Sequence, residues 1–410
     1  MACLATSALP ARKRVKIHDG CVERVEALKS VLAELDLSGR YLVADRSSAL
    51  GHGGYGTVVS AHDTRSHTNV AIKHVRGDLV TKNVSEATRI LREFRINYGL
   101  RDEPCFIVKL LDAMGTSSDG SVLFVFELGV CDVHKAVHSC SLSGSYPFDM
   151  TMLTYDVASA LKIIHGRGVI HRDLKLSNLI LREDRRISLA DFGISGPIGT
   201  CGAPMTGYIQ SRGQRAPELL FKRLKRERRR LSCDPKSRRL LSRVDSYLST
   251  RLDPKVLVLP DGNYTESIDI WSFGCILAEL ILGESPFQQD YNITVLAKIV
   301  WLLGDESKKP CRLRRQLEES LVGETDRDTK HLVQLILWML SIDHTRRPTA
   351  TQVVEFILEK WPMAEQFSEG AVKDDIASNI QMSSIPSSLA EVLAALKKEC
   401  TFFHNGNPIN

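Results

Sequence analysis

No apolar stretch in this 410-residue chain is long enough to cross a bilayer. The longest runs, "LVQLILWML" and "GCILAELILG", fall well short of the roughly 20 residues a spanning helix needs. No CxxC pair occurs among the ten cysteines. Their scatter fits reduced thiols better than a disulfide framework or a zinc site. No internal repeat is present, and neither sign of charge dominates: the net charge of +5 is mild and mostly local. The N-terminus "MACLATSALPARKRVK" puts its charge after its apolar residues, the reverse of a secretory signal. These absences point to a soluble protein of the cytoplasm, the nucleus or both.

What is present is enough chain for a large core, and two lobes rather than one. Residues 1–40 hold a basic run, Arg12 to Lys16, and "CVERVEALKSVLAELDL", whose apolar spacing predicts a short amphipathic helix. Residues 41–129 have strand texture ("GTVVSAHD", "TNVAIKHV", "SVLFVFEL"), with "SEATRILREFRINYGL" as their only helix. Residues 130–362 are helical in texture. Strands followed by helices predict an α+β protein. Two segments stand apart: a basic insert at 222–262 and a polar tail at 363–410 with one helical patch, "SSLAEVLAALKKE".

"GHGGYGTV", Gly51 to Val58, is a glycine-rich run followed by β-branched residues. A dinucleotide fold would continue as a helix; here a returning strand is predicted, so backbone N–H groups of a hairpin can lie over phosphate oxygens. An ordinary tight hairpin fits the same string. "VAIK" ends in Lys73, either a snorkelling lysine or a phosphate-binding cation held by a carboxylate such as Glu93. "HRDLKLSN" is more specific. It supplies Asp173 as a carboxylate, Lys175 as a cation and Asn178 as an oxygen ligand, and "DFG" adds Asp191. Phosphoryl transfer needs in-line positioning, magnesium to neutralise phosphate charge and a group to accept a hydroxyl proton, and these residue types supply that set.

Taken together, these strings resemble the eukaryotic protein kinases: glycine loop, "VAIK", helix glutamate, "HRDLKLSN", "DFG", "APE" and "DIWSFG" occur in family order over roughly residues 41–362. The resemblance implies a bilobal kinase fold and an enzyme that uses ATP and Mg2+ on protein substrates. Lys73 would touch the phosphates and pair with Glu93. Asp173 would deprotonate the substrate hydroxyl. Lys175 would sit by the transferred group and marks Ser/Thr specificity. Asn178 and Asp191 would hold magnesium. Leu50, Gly51, Gly53 and Gly56 would form the phosphate loop, and Val58, Ala71 and Ile180 would sandwich adenine. Phe126 falls at the gatekeeper position, the Glu127 and Gly129 backbone would bond adenine, and Asp132 would reach the ribose. Glu218 would pair with Arg347, and Asp269 would brace the catalytic loop.

Within the kinases, "MTGYIQSRGQRAPE" is similar to the activation segment of the mitogen-activated protein (MAP) kinases. That implies phosphorylation of Thr206 and Tyr208 by an upstream dual-specificity kinase. Arg89, Arg92 and Arg172 would meet the first phosphate, Arg212 and Arg215 the second. Arg215 also carries a preference for proline after the target residue.

Three departures stand out. Gly213 and Gln214 replace two aromatic residues, each worth about 150–250 Å² of burial, so the floor of the substrate groove must pack differently. Asn97 replaces an apolar residue four after Glu93, costly if buried without partners. Leu176 replaces a proline with little consequence. Eleven Lys or Arg lie between Lys222 and Arg243 against Glu227 and Asp234. This run reads as a disordered, solvated loop; its sharper reading is a docking surface for an acidic partner or a nuclear import signal. It has no interleaved aromatics to support nucleic-acid binding. Two alternatives remain open: a pseudokinase scaffold, favoured by Asn97 and the Gly213–Gln214 pair, and a cyclin-dependent relative, disfavoured by the Thr-Gly-Tyr pair.

Overall fold

The described residues on either side of the glycine-rich turn pair as antiparallel strands, and a strand rather than a helix directly continues the chain. The computed structural model describes residues 20–44, 49–53, 56–114, 119–140, 146–198, 211–251, 264–304, 310–321, 327–362, 380 and 388–404. The chain forms two units. The first is built from described residues within Met1–Phe148, Ile180–Gly193 and Asn379–Asn410, the second from those within Asp149–Leu179 and Ile194–Ser378.

The first unit begins with helix α1 (Gly20–Glu34), then strands β1 (Tyr41–Leu42), β2 (Ala49–Gly53), β3 (Gly56–Asp63) and β4 (Thr68–Val75). Helices α2 (Gly77–Lys82) and α3 (Val84–Gly99) follow, then β5 (Leu110–Met114), β6 (Val122–Glu127), β7 (Cys131–Asp132) and α4 (Val133–Cys140). The "only helix" expected within residues 41–129 is therefore one of two among the described residues there. The turn α2 was hidden in "GDLVTK", too short to show a period. The sheet runs β1-β3-β4-β6-β5, with β2 also on β3.

Strand alternation divides the side chains of β6 between two cores. Leu123 and Val125 face one cluster, with Val59 and Ile72, covered by Val25, Leu28 and Leu32 of α1. Val122 and Phe124 face the other, with Ile90 and Phe94 of α3. Each such fully buried side chain contributes roughly 1.5–3 kcal/mol. Asn83 caps α3: its side chain accepts the Ser85 N–H at 2.9 Å.

The second unit opens with α5 (Met150–Gly166), started by Asp149 accepting the Met152 N–H at 2.9 Å, and β8 (Val169–Ile170). The chain then gives β9 (Leu179–Leu181) and β10 (Ile187–Leu189). In the first unit, Ile180 and Leu181 pair with Asp132 and Cys131 of β7. After β11 (Gly196–Pro197), which pairs with β8, come α6 (Pro217–Leu231), α7 (Pro235–Arg251), α8 (Ser267–Leu282), α9 (Asn292–Leu303), α10 (Arg312–Ser320), α11 (Arg327–Met339) and α12 (Ala350–Lys360). The core is α8, apolar on nearly every face: Trp271 and Phe273 are fully buried, and Phe287 stacks on Trp271 at 5.5 Å between ring centroids. Among the described residues no helix is long and apolar enough to cross a membrane.

In its described part, residues 222–251, the basic insert is helical rather than a loop. Its first part continues α6 and its second is α7, which packs on α9. Apolar residues at helical spacing run through the charges: Leu220 and Leu224 on α6, Leu241 and Val244 on α7, all buried. Lys236, Arg239 and Arg243 stay exposed. Charge count alone misread a sequence whose apolar period was intact. The tail does not stand apart either. Its helical patch is α13 (Leu389–His404), and Val392, Leu396 and Cys400 complete the first unit's core beside α3.

Candidate active site

The first unit assembles the cation and its carboxylates. Register sets Lys73 on β4 opposite Val58 on β3 and Phe124 on β6. Its Nζ donates to Glu93 Oε1 of α3 and to Asp191 Oδ1, the latter at 3.0 Å. Burial alone would lower the Lys73 pKa; the Asp191 and Glu93 carboxylates outweigh it and raise the value well above the usual lysine range. Lys73 is therefore a fixed cation. Asp191 sits in left-handed backbone at φ 66°, with Phe192 fully buried beside it and its own side chain 46% exposed. Asn97 is buried but not stranded: its Nδ2 donates to the Glu93 carbonyl at 2.8 Å, one turn back. This local bond meets the polar group that looked costly from the sequence.

The residues expected beside adenine lie on the same unit. Ala71 is opposite Phe126 across the β4–β6 ladder, and Val58 and Ile180 are half-buried. Glu127 donates its N–H to the Lys109 carbonyl at 3.1 Å. A Cβ at Gly129 would stand 2.3 Å from Ile180 Cγ2 and 2.8 Å from the Leu181 carbonyl oxygen, so this position must be glycine. Asp132 accepts the Lys135 N–H at 2.9 Å and pairs with Lys135 Nζ at 3.0 Å. The same Nζ donates to the Leu50 carbonyl at 2.7 Å. Sequence reasoning missed Lys135; its signal was the three-residue spacing from Asp132 at a helix start.

The second unit assembles the carboxylate. Lys175 Nζ donates to Asp173 Oδ2 at 2.6 Å, and Asn178 Nδ2 donates to the Asp173 carbonyl at 2.8 Å. Ser211 Oγ stands 3.5 Å from Asp173 Oδ1. The loop is held from beneath by Asp269 of α8. Its oxygens accept the His171 N–H at 2.8 Å, the Arg172 N–H at 2.9 Å and a hydrogen bond with His165 Nε2 at 3.0 Å. Burial would raise the Asp269 pKa, but His165 and these N–H groups hold the carboxyl below the usual range. His165 was also missed, since nothing in its surrounding sequence marks it. Leu176 is buried in the loop.

Glu218 and Arg347 form a bidentate pair, both contacts 2.8 Å, with side chains 1% and 0% exposed. Beside Gly213, Ser285 and Gln288 fill the space. Gln214 Nε2 donates to Glu279 Oε2 at 3.1 Å, and Arg215 donates to Asn292 Oδ1 at 2.8 Å. The neighbours of Gly213, Gln214 and Arg215 are thus polar, where aromatic residues were expected by resemblance.

Thr206 and Tyr208, and the Arg212 side chain, lie outside the described residues. Arg89 is buried, donating to Glu86 Oε2 at 2.8 Å and to the Gly193 carbonyl at 2.9 Å; Arg92 is half-buried. Arg172 sits at φ 73° with its guanidinium buried, 5.2 Å over the Tyr264 ring. Its Nε has no hydrogen-bond partner and no carboxylate pairs with it among the described residues; burial lowers its pKa.

No group of three or more His, Cys, Asp or Glu that could hold a metal occurs among the described residues. Magnesium in a nucleotide site needs only one or two protein oxygens beside substrate phosphates. Asp191 offers an exposed carboxylate, and Asn178, with Nδ2 committed to Asp173, offers its Oδ1. Each is by itself an oxygen donor of the kind a hard cation takes.

The sequence model of the family described as "Protein kinase domain" matches residues 44–234 and 247–357. The chain is similar to mitogen-activated protein kinase pmk-1 of Caenorhabditis elegans, 30% identical over 323 residues, 75% of this chain and 73% of the relative. It is similar to mitogen-activated protein kinase 12 of Oryza sativa subsp. japonica, 29% identical over 85% of this chain and 54% of the relative. Mitogen-activated protein kinase 2 of Arabidopsis thaliana is 31% identical over 63% of this chain and 58% of its own length. The chain thus spans little more than half the length of these two plant relatives.

Proposed function

We propose, from the premise that this chain belongs to the protein kinase family and is a MAP-kinase-like Ser/Thr kinase, that it phosphorylates Ser or Thr followed by proline in protein substrates. We propose also that phosphorylation of Thr206 and Tyr208 switches it on. The observation that carries the catalytic reading is the state of Asp173. One carboxylate oxygen is anchored by Lys175, and the other faces a hydroxyl, that of Ser211. A carboxylate so held can accept a proton from a substrate hydroxyl. Bound ATP with Mg2+ supplies the phosphoryl group and neutralises its charge. Lys73, kept cationic by Glu93 and Asp191, orients the phosphates, and Gly129 leaves room for the base.

Arg172 supports the switch. A buried guanidinium without a carboxylate partner is a ready receptor for a phosphate on Thr206. The upstream enzyme of this reading is a dual-specificity kinase. The exposed cations of α7 suit an acidic partner, and "PARKRVK" suits entry to the nucleus from the cytoplasm. Incubation with magnesium, ATP and a Ser/Thr peptide library tests the catalytic reading. Asp173→Asn should lower transfer by roughly 10²–10⁴ and leave ATP affinity unchanged. Equal transfer by parent and variant would remove Asp173 from the chemistry.

A further inference from the structure

Residues 235–246 fall between the two stretches that match the kinase family, and they form roughly the first three turns of α7. Leu241 and Val244 bury one side of these turns, and α7 packs on α9. Lys236, Arg239 and Arg243 are exposed. Their i, i+3, i+7 spacing puts them on one face, within an arc of about 60° and away from Leu241 and Val244. Three cations thus stand along about 10 Å of helix. The other charges of the segment are engaged or covered. Arg238 Nε donates to the Ser232 carbonyl at 2.9 Å, Asp234 caps α7 by accepting the Ser237 N–H at 2.7 Å, and Asp245 is half-buried.

α9 joins this face to the catalytic carboxylate within the second unit. Its first residue, Asn292, accepts from Arg215 at 2.8 Å. Arg215 is buried four residues after Ser211, whose hydroxyl stands 3.5 Å from Asp173. We infer that the exposed face of α7 is a docking surface for an acidic segment of the protein substrate, with Lys236, Arg239 and Arg243 meeting its carboxylates. That the segment belongs to a substrate rests on the proposed kinase activity; the binding itself does not. An extended segment advances about 6.6 Å every second residue, so carboxylates at alternate positions keep step with cations spread over this length. The apolar side of α7 is turned inward, which leaves no face to enter a bilayer. No aromatic residue lies between Lys236 and Arg243 to stack on bases. A segment held on α7 raises the local concentration of its own target hydroxyl at Asp173.

The test uses the full chain and its Lys236→Glu/Arg239→Glu/Arg243→Glu variant. The probes are Ser/Thr peptides with and without a run of alternating Asp and Gly on either side of the target, the same peptides with Lys in place of Asp, and the acidic run alone, fluorescently labelled. Three exposed ion pairs together should lower the parent's KM for the acidic peptides roughly tenfold at low salt and leave kcat unchanged. The gain should fade toward about 1 M salt, where the screening length falls to about 3 Å. The variant should lose the gain, match the parent on the peptide without the run, which shows that it folds, and prefer the Lys peptides. Anisotropy of the labelled run should show the same loss of binding with no phosphate transfer involved. Equal KM for peptides with and without the run in the parent would overturn the inference, as would equal binding of the run by parent and variant. So would single-stranded RNA or anionic lipid vesicles binding more tightly than the run and being lost in the same variant. A parent that bound the run through these cations yet phosphorylated no peptide would defeat the kinase reading alone and leave the acidic-segment site standing.

Discussion

Replacing Arg347 by alanine removes the cation from a site that water does not reach. The Glu218–Arg347 pair is bidentate at 2.8 Å, and neither side chain is more than 1% exposed. Arg347 also donates to the carbonyls of Ser341 at 2.8 Å and Ser267 at 3.1 Å, and lies 5.0 Å over the Trp271 ring. Truncation therefore strands a buried carboxylate, and two half-buried carbonyls lose a donor. Breaking one partner of such a pair costs about 3–5 kcal/mol. For a unit of this size each kcal/mol moves Tm by about 2–4 °C, so the drop should be about 6–20 °C. Circular dichroism melts of parent and Arg347→Ala measure it. A second variant separates stranded charge from lost volume: Glu218→Leu with Arg347→Met removes both charges and keeps bulk, and should recover most of the loss. If Arg347→Ala melts within about 1 °C of parent, the pair is not buried as described.

Three further outcomes follow from other parts of the molecule. Thr206→Ala should show low activity that an upstream kinase cannot raise, and equal rates for unphosphorylated and doubly phosphorylated parent on one peptide would sink the switch. Gly129→Val should abolish ATP binding by calorimetry, because even its Cβ would sit 2.3 Å from Ile180, and retained affinity would count against that contact as part of the nucleotide site. Asp269 has a depressed folded pKa, so it contributes stability above its unfolded value of 3.8 and loses it as pH falls through the folded one. The Tm gap between parent and Asp269→Asn should narrow on acidification below that value, and a gap constant down to pH ~2 would refute the linkage.

Much of the candidate site's grouping was legible because its residues sit in short strings: "HRDLKLSN" keeps Asp173, Lys175 and Asn178 within six positions, so local backbone alone brings them together. Glu93 was legible through its helix, although which side of α3 faced β4 was not. The partners that act over long sequence distances were readable only by resemblance, as with Glu218 and Arg347, 129 residues apart. Lys135 and His165 carried no such signature. The insert was misread because eleven basic residues outweighed a helical period that Leu220, Leu224, Leu241 and Val244 preserve. Asn97 stood out as costly if buried without partners; it is buried, and its bond to a carbonyl one turn back is a matter of rotamer, which sequence does not carry.

The two faces of the first unit's sheet are closed by segments from opposite ends of the chain, α1 and α13, both outside the 44–357 span that matches the kinase family. The conserved pattern of a family and the cooperative unit of folding therefore have different borders here. A gene fragment cut to the matched span would leave Val59, Ile72 and Leu123 without their cover on one face and Phe94 and Phe124 without theirs on the other. Contiguous apolar surface of that kind drives self-association, so fragment expression would report on solubility where the question was catalysis. In this protein the terminal extensions behave as core that happens to be encoded at the margins.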